Sequence, residues 1–284
     1  MKYKKLLITL GVLLGVIFMC IILSFTLFRL KKVTIDFKNE TTIYASDESK
    51  EAIIRTGGFS YNMPIFNVNK NAVKERLEKE NFYLKVINIE TVFPNKIVVH
   101  CAQREELFAI KISDSLHYVC DDELKVLSML TNTAMYESTN NNAVLLNGVD
   151  VLNKSAKLGE KLSIEGNEDI VKNISTAFAY NNRTISDIKG MFKSITVKRD
   201  KNDLYTKRVE TYLVLTTFDD FEITLGLARC NLVEKINLML SIIPQSQDKI
   251  GEYNLIIELD PDNTANTYIR YEKIQTDNNP DDGD

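Results

Sequence analysis

The sequence predicts an α+β protein with three parts: an N-terminal transmembrane helix, a compact β-α-α-β-β unit, and a following β-rich domain with packed helices. Three observations predict it. Residues 6–28, "LLITLGVLLGVIFMCIILSFTLF", carry no charge over 23 positions. Residues 33–103 alternate between period-two and helical apolar patterns within about seventy residues. From Ala143 onward, strand-like runs outnumber helical ones.

The first run is long enough for a hydrocarbon layer of roughly 30 Å at 1.5 Å per helical residue. A cleaved signal would have a shorter apolar region and a small-residue cleavage site. This run ends in Thr26-Leu27-Phe28-Arg29, so an uncleaved anchor over 6–28 is expected, with residues 1–5 as a short tail. Gly11 and Gly15 form a G-x-x-x-G pattern that permits close helix approach. Lys2, Lys4 and Lys5 precede the run and Arg29, Lys31 and Lys32 follow it, so charge alone sets no orientation.

Of 35 Lys+Arg, those six flank the span, which leaves 29 against 39 Asp+Glu from residue 33 onward. That acidic balance argues against a nucleic-acid partner. Cys20 lies in the span, and Cys101, Cys120 and Cys230 are too widely spaced for a disulfide framework. They are expected as small buried residues.

"VTIDF" at 33–37 alternates as a short strand. Ser46-Asp47-Glu48 reads as a helix start, with acidic groups at the positive end of the dipole. Ala52, Ile53 and Ile54 supply its apolar face, and Gly57-Gly58 stops it. Asn69 caps a second helix over 69–80, with Val73 and Leu77 one turn apart and Glu75 and Lys79 exposed. Strands follow at 84–93 and 96–103, turned by Pro94-Asn95.

Residues 131–142 are polar and read as a loop. A helix over 166–180 puts Ile170, Ile174, Ala177 and Phe178 on one face. Strands are expected at 191–199, 209–218 and 221–227, with Asp219-Asp220 turning the last hairpin. An amphipathic helix over 231–243 is stopped by Pro244. Strands at 253–259 and 266–271 complete the β-domain, 106–272, and the acidic stretch 273–284 reads as disordered.

Chemistry is hard to find. His100 and Cys101 are neighbours on a strand and point to opposite faces, so they cannot form a dyad. Cys101 is expected in the core and His100 at the surface. A metal shared with His117 and Cys120 would need both neighbours to turn to one ion. No G-x-S-x-G, H-E-x-x-H or P-loop pattern occurs. Glu105-Glu106, Asp121-Asp122-Glu123 and Asp219-Asp220 read as turns or solvated edges. Asn39-Glu40-Thr41, Asn173-Ile174-Ser175 and Asn182-Arg183-Thr184 fit a glycosylation pattern that arises by chance in an Asn-rich chain.

The stretch "KKVTIDFKNE", the helix after Ser46, the Gly57-Gly58 break and "MPIFNVNKNAVKERLEKENFYLKVINIETVFPNKIVVHCAQREELFAI" resemble the POTRA domain of the FtsQ/DivIB cell-division family. Pro64-Ile65-Phe66-Asn67-Val68 matches a family segment before the second helix. The run from Val86 to Arg104 follows the family's strand-pair pattern, with Phe93-Pro94, Ile97, Val99 and Glu105 close to it. Asn39, the order Arg104-Glu105, Val119-Cys120-Asp121-Asp122-Glu123 and "IIELDP" depart from pattern. The likeness covers residues 1–272 in architecture and is specific over 33–110.

The resemblance implies a POTRA domain over 33–105 and a single-pass cell-membrane protein. Its N-terminus would be cytoplasmic and its body extracytoplasmic, at the division septum. It implies no enzyme, no cofactor and no small-molecule substrate. It implies a scaffold that joins small bitopic partners of the FtsB/DivIC and FtsL type and controls septal wall synthesis, with membrane lipid around 6–28. A domain ending in a strand offers an unpaired edge to an incoming strand. Thr267, Tyr268, Ile269, Arg270 and Tyr271 are the candidate partner-binding residues, with Tyr268 and Arg270 supplying choice. Two other readings stay open here: a POTRA-bearing scaffold of a secretion or spore-wall machine, and a membrane-anchored wall enzyme using paired carboxylates.

Overall fold

The computed structural model describes residues 2–38, 42–44, 46–131, 143–200, 210–259 and 267–274. The expected loop at 131–142 beyond Thr131, the triplet Asn39-Glu40-Thr41, and the tail from 275 lie outside them. The chain forms two compact units, Met1–Arg104 and Glu105–Asp284.

The first unit opens with helix α1 (Lys2–Thr26). Its described apolar side chains are exposed all round, from Leu10 at 55% to Ile22 at 46%, so among the described residues no core covers them. Side chains of this helix are described at Lys4, residues 9–22 and Thr26. Among the described residues no helix is long and apolar enough to cross a membrane. The expected span over 6–28 is longer than that described stretch.

Strand β1 (Lys32–Phe37), helices α2 (Asp47–Thr56) and α3 (Lys70–Glu80), and strands β2 (Leu84–Val92) and β3 (Lys96–Gln103) follow. The sheet order is β1-β3-β2, with β1 parallel and β2 antiparallel to β3. Ser46 caps α2 by accepting from the Ser49 amide, and Asn69 caps α3 by accepting from the Ala72 amide. Gly58, at φ +64°, takes the left-handed turn after α2. Ile53, Val73 and Leu77 of the helices meet Val33, Ile35, Leu84, Val86, Ile97, Val99 and Cys101 of the sheet in one core. Ala52, expected on the apolar face of α2, is exposed instead; Ile53 alone in that helix is fully buried.

A bulge between Val86 and Asn88 flips the alternation of β2. Ile87 is therefore 53% exposed, while Ile89 returns to the core. Arg104 closes this unit. Its side chain is 4% exposed, its Nε donates to the Leu84 carbonyl at 3.2 Å, and its Nη2 lies 3.3 Å from Glu78 Oε2. The other Glu78 oxygen accepts from the Val86 amide at 2.8 Å. One carboxylate thus joins α3 to both the edge strand and the closing arginine.

In the second unit, strands β4 (Phe108–Ser113), β5 (Leu116–Cys120), β6 (Val126–Leu130) and β7 (Val144–Asn147) precede helices α4 (Glu168–Tyr180) and α5 (Ile185–Met191). Strands β8 (Phe192–Asp200), β9 (Glu210–Thr217) and β10 (Glu222–Leu225), helix α6 (Leu232–Ile242), and strands β11 (Tyr253–Leu259) and β12 (Thr267–Lys273) complete it. Among the described residues these form one nine-stranded sheet, β12-β11-β10-β9-β8-β7-β4-β5-β6. Ile170, Ile174, Ala177 and Phe178 of α4 all join its core. Asp220, at φ +62°, takes the hairpin turn between β9 and β10.

Three expectations change here. Helix α5 stands where only a sequon was noted; its capping box pairs the Thr184 and Asp187 side chains with each other's backbone amides. Lys273, expected in a disordered tail, closes β12 opposite Tyr253, and the Ile274 amide still donates to the Glu252 carbonyl. Cys230, expected buried, is exposed, whereas Cys101 and Cys120 are fully buried; no disulfide joins the four cysteines.

Candidate functional site

Strand β12 is the last strand of the large sheet, and among the described residues it pairs on one side only. Its seven-pair register with β11 runs without a bulge from Thr267 opposite Leu259 to Lys273 opposite Tyr253. The next pair fixes the phase, because the Ile274 N–H donates to the Glu252 carbonyl at 2.8 Å. In an antiparallel ladder alternate residues turn both backbone groups to the neighbour and the others turn both away. Counting back from Ile274, residues Glu272, Arg270 and Tyr268 bond β11. The amides and carbonyls of Lys273, Tyr271, Ile269 and Thr267 face the open side.

Side chains divide by the same alternation. Ile269 and Tyr271 pack against the core. Tyr271 Oη lies 2.7 Å from Ser246 Oγ, and Lys249 Nζ sits 4.2 Å from its ring centroid. Arg270 projects from the other face, half exposed, with Nη2 3.9 Å from Glu258 Oε2. The Tyr268 side chain lies outside the described residues. Of the five predicted residues, then, two hold the strand to its own sheet through their side chains while offering their backbones outward. Thr267 is half-buried, and Arg270 is the exposed one of the four described side chains.

The opposite end of the sheet differs. At β6 the Val126 amide donates to the Glu160 carbonyl and the Val126 carbonyl accepts from the Gly159 amide, both at 2.8 Å. A loop therefore covers the start of that edge.

Cys101 faces the core, and burial pushes its thiol up to about 12. Burial also raises the Cys120 thiol. Asp121 accepts from the amides of Glu123 and Lys125 at 2.9 and 2.8 Å, a turn role. Asp220 sits in the hairpin turn, paired with Lys193. Glu105 is exposed, and Glu106 accepts from the Ser128 hydroxyl at 2.7 Å. Among the described residues no group of three or more His, Cys, Asp or Glu is placed to hold a metal.

Sequence reasoning missed one polar cluster. On the solvent face of the small sheet, His100 Nδ1 lies 2.9 Å from Asp36 Oδ2 and Nε2 lies 3.1 Å from Glu90 Oε2. Hydrogen bonds to Glu90 and Asp36 raise the imidazole pKa above its ordinary value. The three residues come from three strands, and Asp36 is the register partner of His100. Their polar positions in alternating strands were legible; that they meet required the strand order.

Residues 28–102 match the family model described as "POTRA domain, FtsQ-type". The cell division protein DivIB of Clostridium tetani (strain Massachusetts / E88) is 30% identical over 129 residues, which is 45% of this chain and 45% of the relative. The match therefore spans less than half the length of that relative. By fold, the protein is an α+β protein carrying a POTRA domain of the FtsQ type. Both matches liken the chain to FtsQ/DivIB proteins, the resemblance that residues 33–110 carry.

Proposed function

We propose that the chain is a non-enzymatic bitopic scaffold of the bacterial cell-division machinery. Residues 6–28 anchor it in the cell membrane, with the N-terminus cytoplasmic and the body extracytoplasmic at the septum. The body captures small single-span division proteins of the FtsB/DivIC and FtsL type and so controls septal wall synthesis. The observation that carries this reading is the pairing of β12 on one side only among the described residues, with outward amides and carbonyls at Thr267, Ile269, Tyr271 and Lys273 that suit strand addition.

Other features support it. A helix apolar on every described face, with no core packed on it, fits burial in lipid or against partner spans. The matched relative is named a cell division protein. Among the paired carboxylates, Asp121 and Asp220 stand in turns and Glu106 accepts from the Ser128 hydroxyl.

A capture experiment tests the reading. Full chain with Ile269→Pro loses an outward amide and no ladder bond of its own, whereas Arg270→Pro loses a ladder bond. Both are expected to reduce capture of a small bitopic division partner. Undiminished capture by both variants would remove the edge from the account.

A further inference from the structure

After α1 ends at Thr26 the chain is captured at once by the first unit. The Phe28 carbonyl accepts from the Ile65 amide at 2.8 Å. The Leu30 amide donates to the Met63 carbonyl, and its carbonyl accepts from the Asn62 amide, both at 2.9 Å. The Lys31 amide donates to the Asn95 carbonyl at 2.9 Å. Residues 28–31 are thus stitched between the segment before α3 and the turn joining β2 to β3.

Those two connections carry Phe66 and Phe93, and Phe28 completes a triad. Ring centroids are 5.5 Å apart for Phe28–Phe66, 5.9 Å for Phe28–Phe93 and 5.6 Å for Phe66–Phe93. Aromatic rings at such spacings usually close a core. Here Phe66 is 60% and Phe93 59% exposed, while Ile65, next to Phe66, and Leu30, two residues past Phe28, are buried. The fold turns the aliphatic residues inward and holds the Phe66 and Phe93 rings outward, with the half-buried Phe28 joining them to the core where the apolar helix leaves.

We propose that Phe28, Phe66 and Phe93 form a foot that rests in the headgroup layer of an anionic bilayer. This rests on the anchor reading given above for residues 6–28. If that run spans, the depth of the foot follows. Two residues past the helix reach at most about 7 Å, and the headgroup region is roughly 5–8 Å deep on each side of the hydrocarbon. Exposed phenylalanines on a membrane-facing surface bury their rings at the boundary between headgroups and acyl chains. Arg29, Lys31 and Lys32 are exposed beside Phe28, and no acidic residue precedes Asp36 in the sequence. That flank suits anionic lipid. The POTRA domain is therefore seated on the membrane through its ring triad, and not merely tethered to it.

The chain contains no tryptophan, so single replacements report cleanly. Full-length Leu13→Trp, Phe66→Trp, Phe93→Trp and Tyr180→Trp proteins are reconstituted in phosphatidylcholine–phosphatidylglycerol vesicles. Emission is quenched with lipids brominated near the headgroup, with lipids brominated deep in the chain, and with aqueous acrylamide. Tyr180, 73% exposed in the second unit, sets the water-exposed limit. Leu13→Trp should respond to deep bromines. Phe66→Trp and Phe93→Trp should respond to shallow bromines and be about three-fold less accessible to acrylamide than Tyr180→Trp, as interfacial rings are. If Leu13→Trp is deep but both foot positions are as accessible as Tyr180→Trp, the foot is overturned and the anchor stands. If Leu13→Trp ignores deep bromines, the anchor fails and the foot falls with it.

Discussion

Tyr271 Oη lies 2.7 Å from Ser246 Oγ, and Ser246 is fully buried. Ser246 Oγ also donates to the Ile242 carbonyl at the end of α6, at 3.0 Å. A hydroxyl pair thus ties the edge strand to the helical layer beneath it. An edge strand with one neighbour would otherwise fray, since its outer backbone groups are solvated. The tie holds β12 extended, and among the described residues no strand lies on its outer side.

Removing that tie should loosen β12 without unfolding the domain. Tyr271→Phe is expected to cost about 1 kcal/mol, the worth of one hydrogen bond. Amides of β12 should exchange faster, while those of β9 in the sheet centre should not change. A double-mutant cycle with Ser246→Ala should return a coupling of about 0.5–1.5 kcal/mol; a coupling near zero would show that the pair holds nothing.

The first unit should be more stable in mild acid through His100. Both ring nitrogens face carboxylates, and a neutral imidazole has only one N–H to give them. The folded pKa is raised above 6.5. The charged form is therefore favoured by folding, so this stabilisation is complete below pH 6.5 and is lost as pH rises through the folded value. The pairs are largely exposed, so the gain is about 0.2–1 kcal/mol. His100→Gln should flatten this part of the stability–pH curve in thermal melts; an unchanged curve would show that His100 contributes no part of it.

Lys235 predicts the opposite slope in the second unit. Its ammonium is fully buried and donates to the carbonyls of Gly226, Leu227 and Cys230. Burial lowers its pKa from 10.5 to about 8. Between those values the unfolded chain binds the extra proton, so stability from this group rises with pH from about 8 to 10.5. Lys235→Met should abolish that rise and cost about 1–3 kcal/mol by leaving buried carbonyls unpaired. Chemical denaturation at several alkaline pH values checks both.

Helix α3 was legible because Asn69 caps it and Val73 and Leu77 recur one turn apart. Strand β3 was legible because Ile97, Val99 and Cys101 are buried while the residues between them are not. Strand β4 was not, because Phe108, Ala109 and Ile110 are all buried and the alternation that marks a strand is gone. The same holds for β5, where Tyr118, Val119 and Cys120 are consecutive and buried. Parallel pairing of β4 with β7 and of β7 with β8 joins segments far apart in sequence, which no local pattern specifies. At the candidate site, the terminal strand was readable from 266–271. Which of its backbone groups face outward was not, because that phase is set by one bond from Ile274 to Glu252.

The most direct test of the central claim is amide exchange in the full chain, with and without the extracytoplasmic segment of a small bitopic division partner. Strand addition predicts that the amides of Thr267, Ile269, Tyr271 and Lys273 slow by about tenfold or more on binding, as newly bonded ladder amides do. The amides of β6 should not change. If a saturating partner binds and those four amides exchange at their free rates, β12 is not the docking edge.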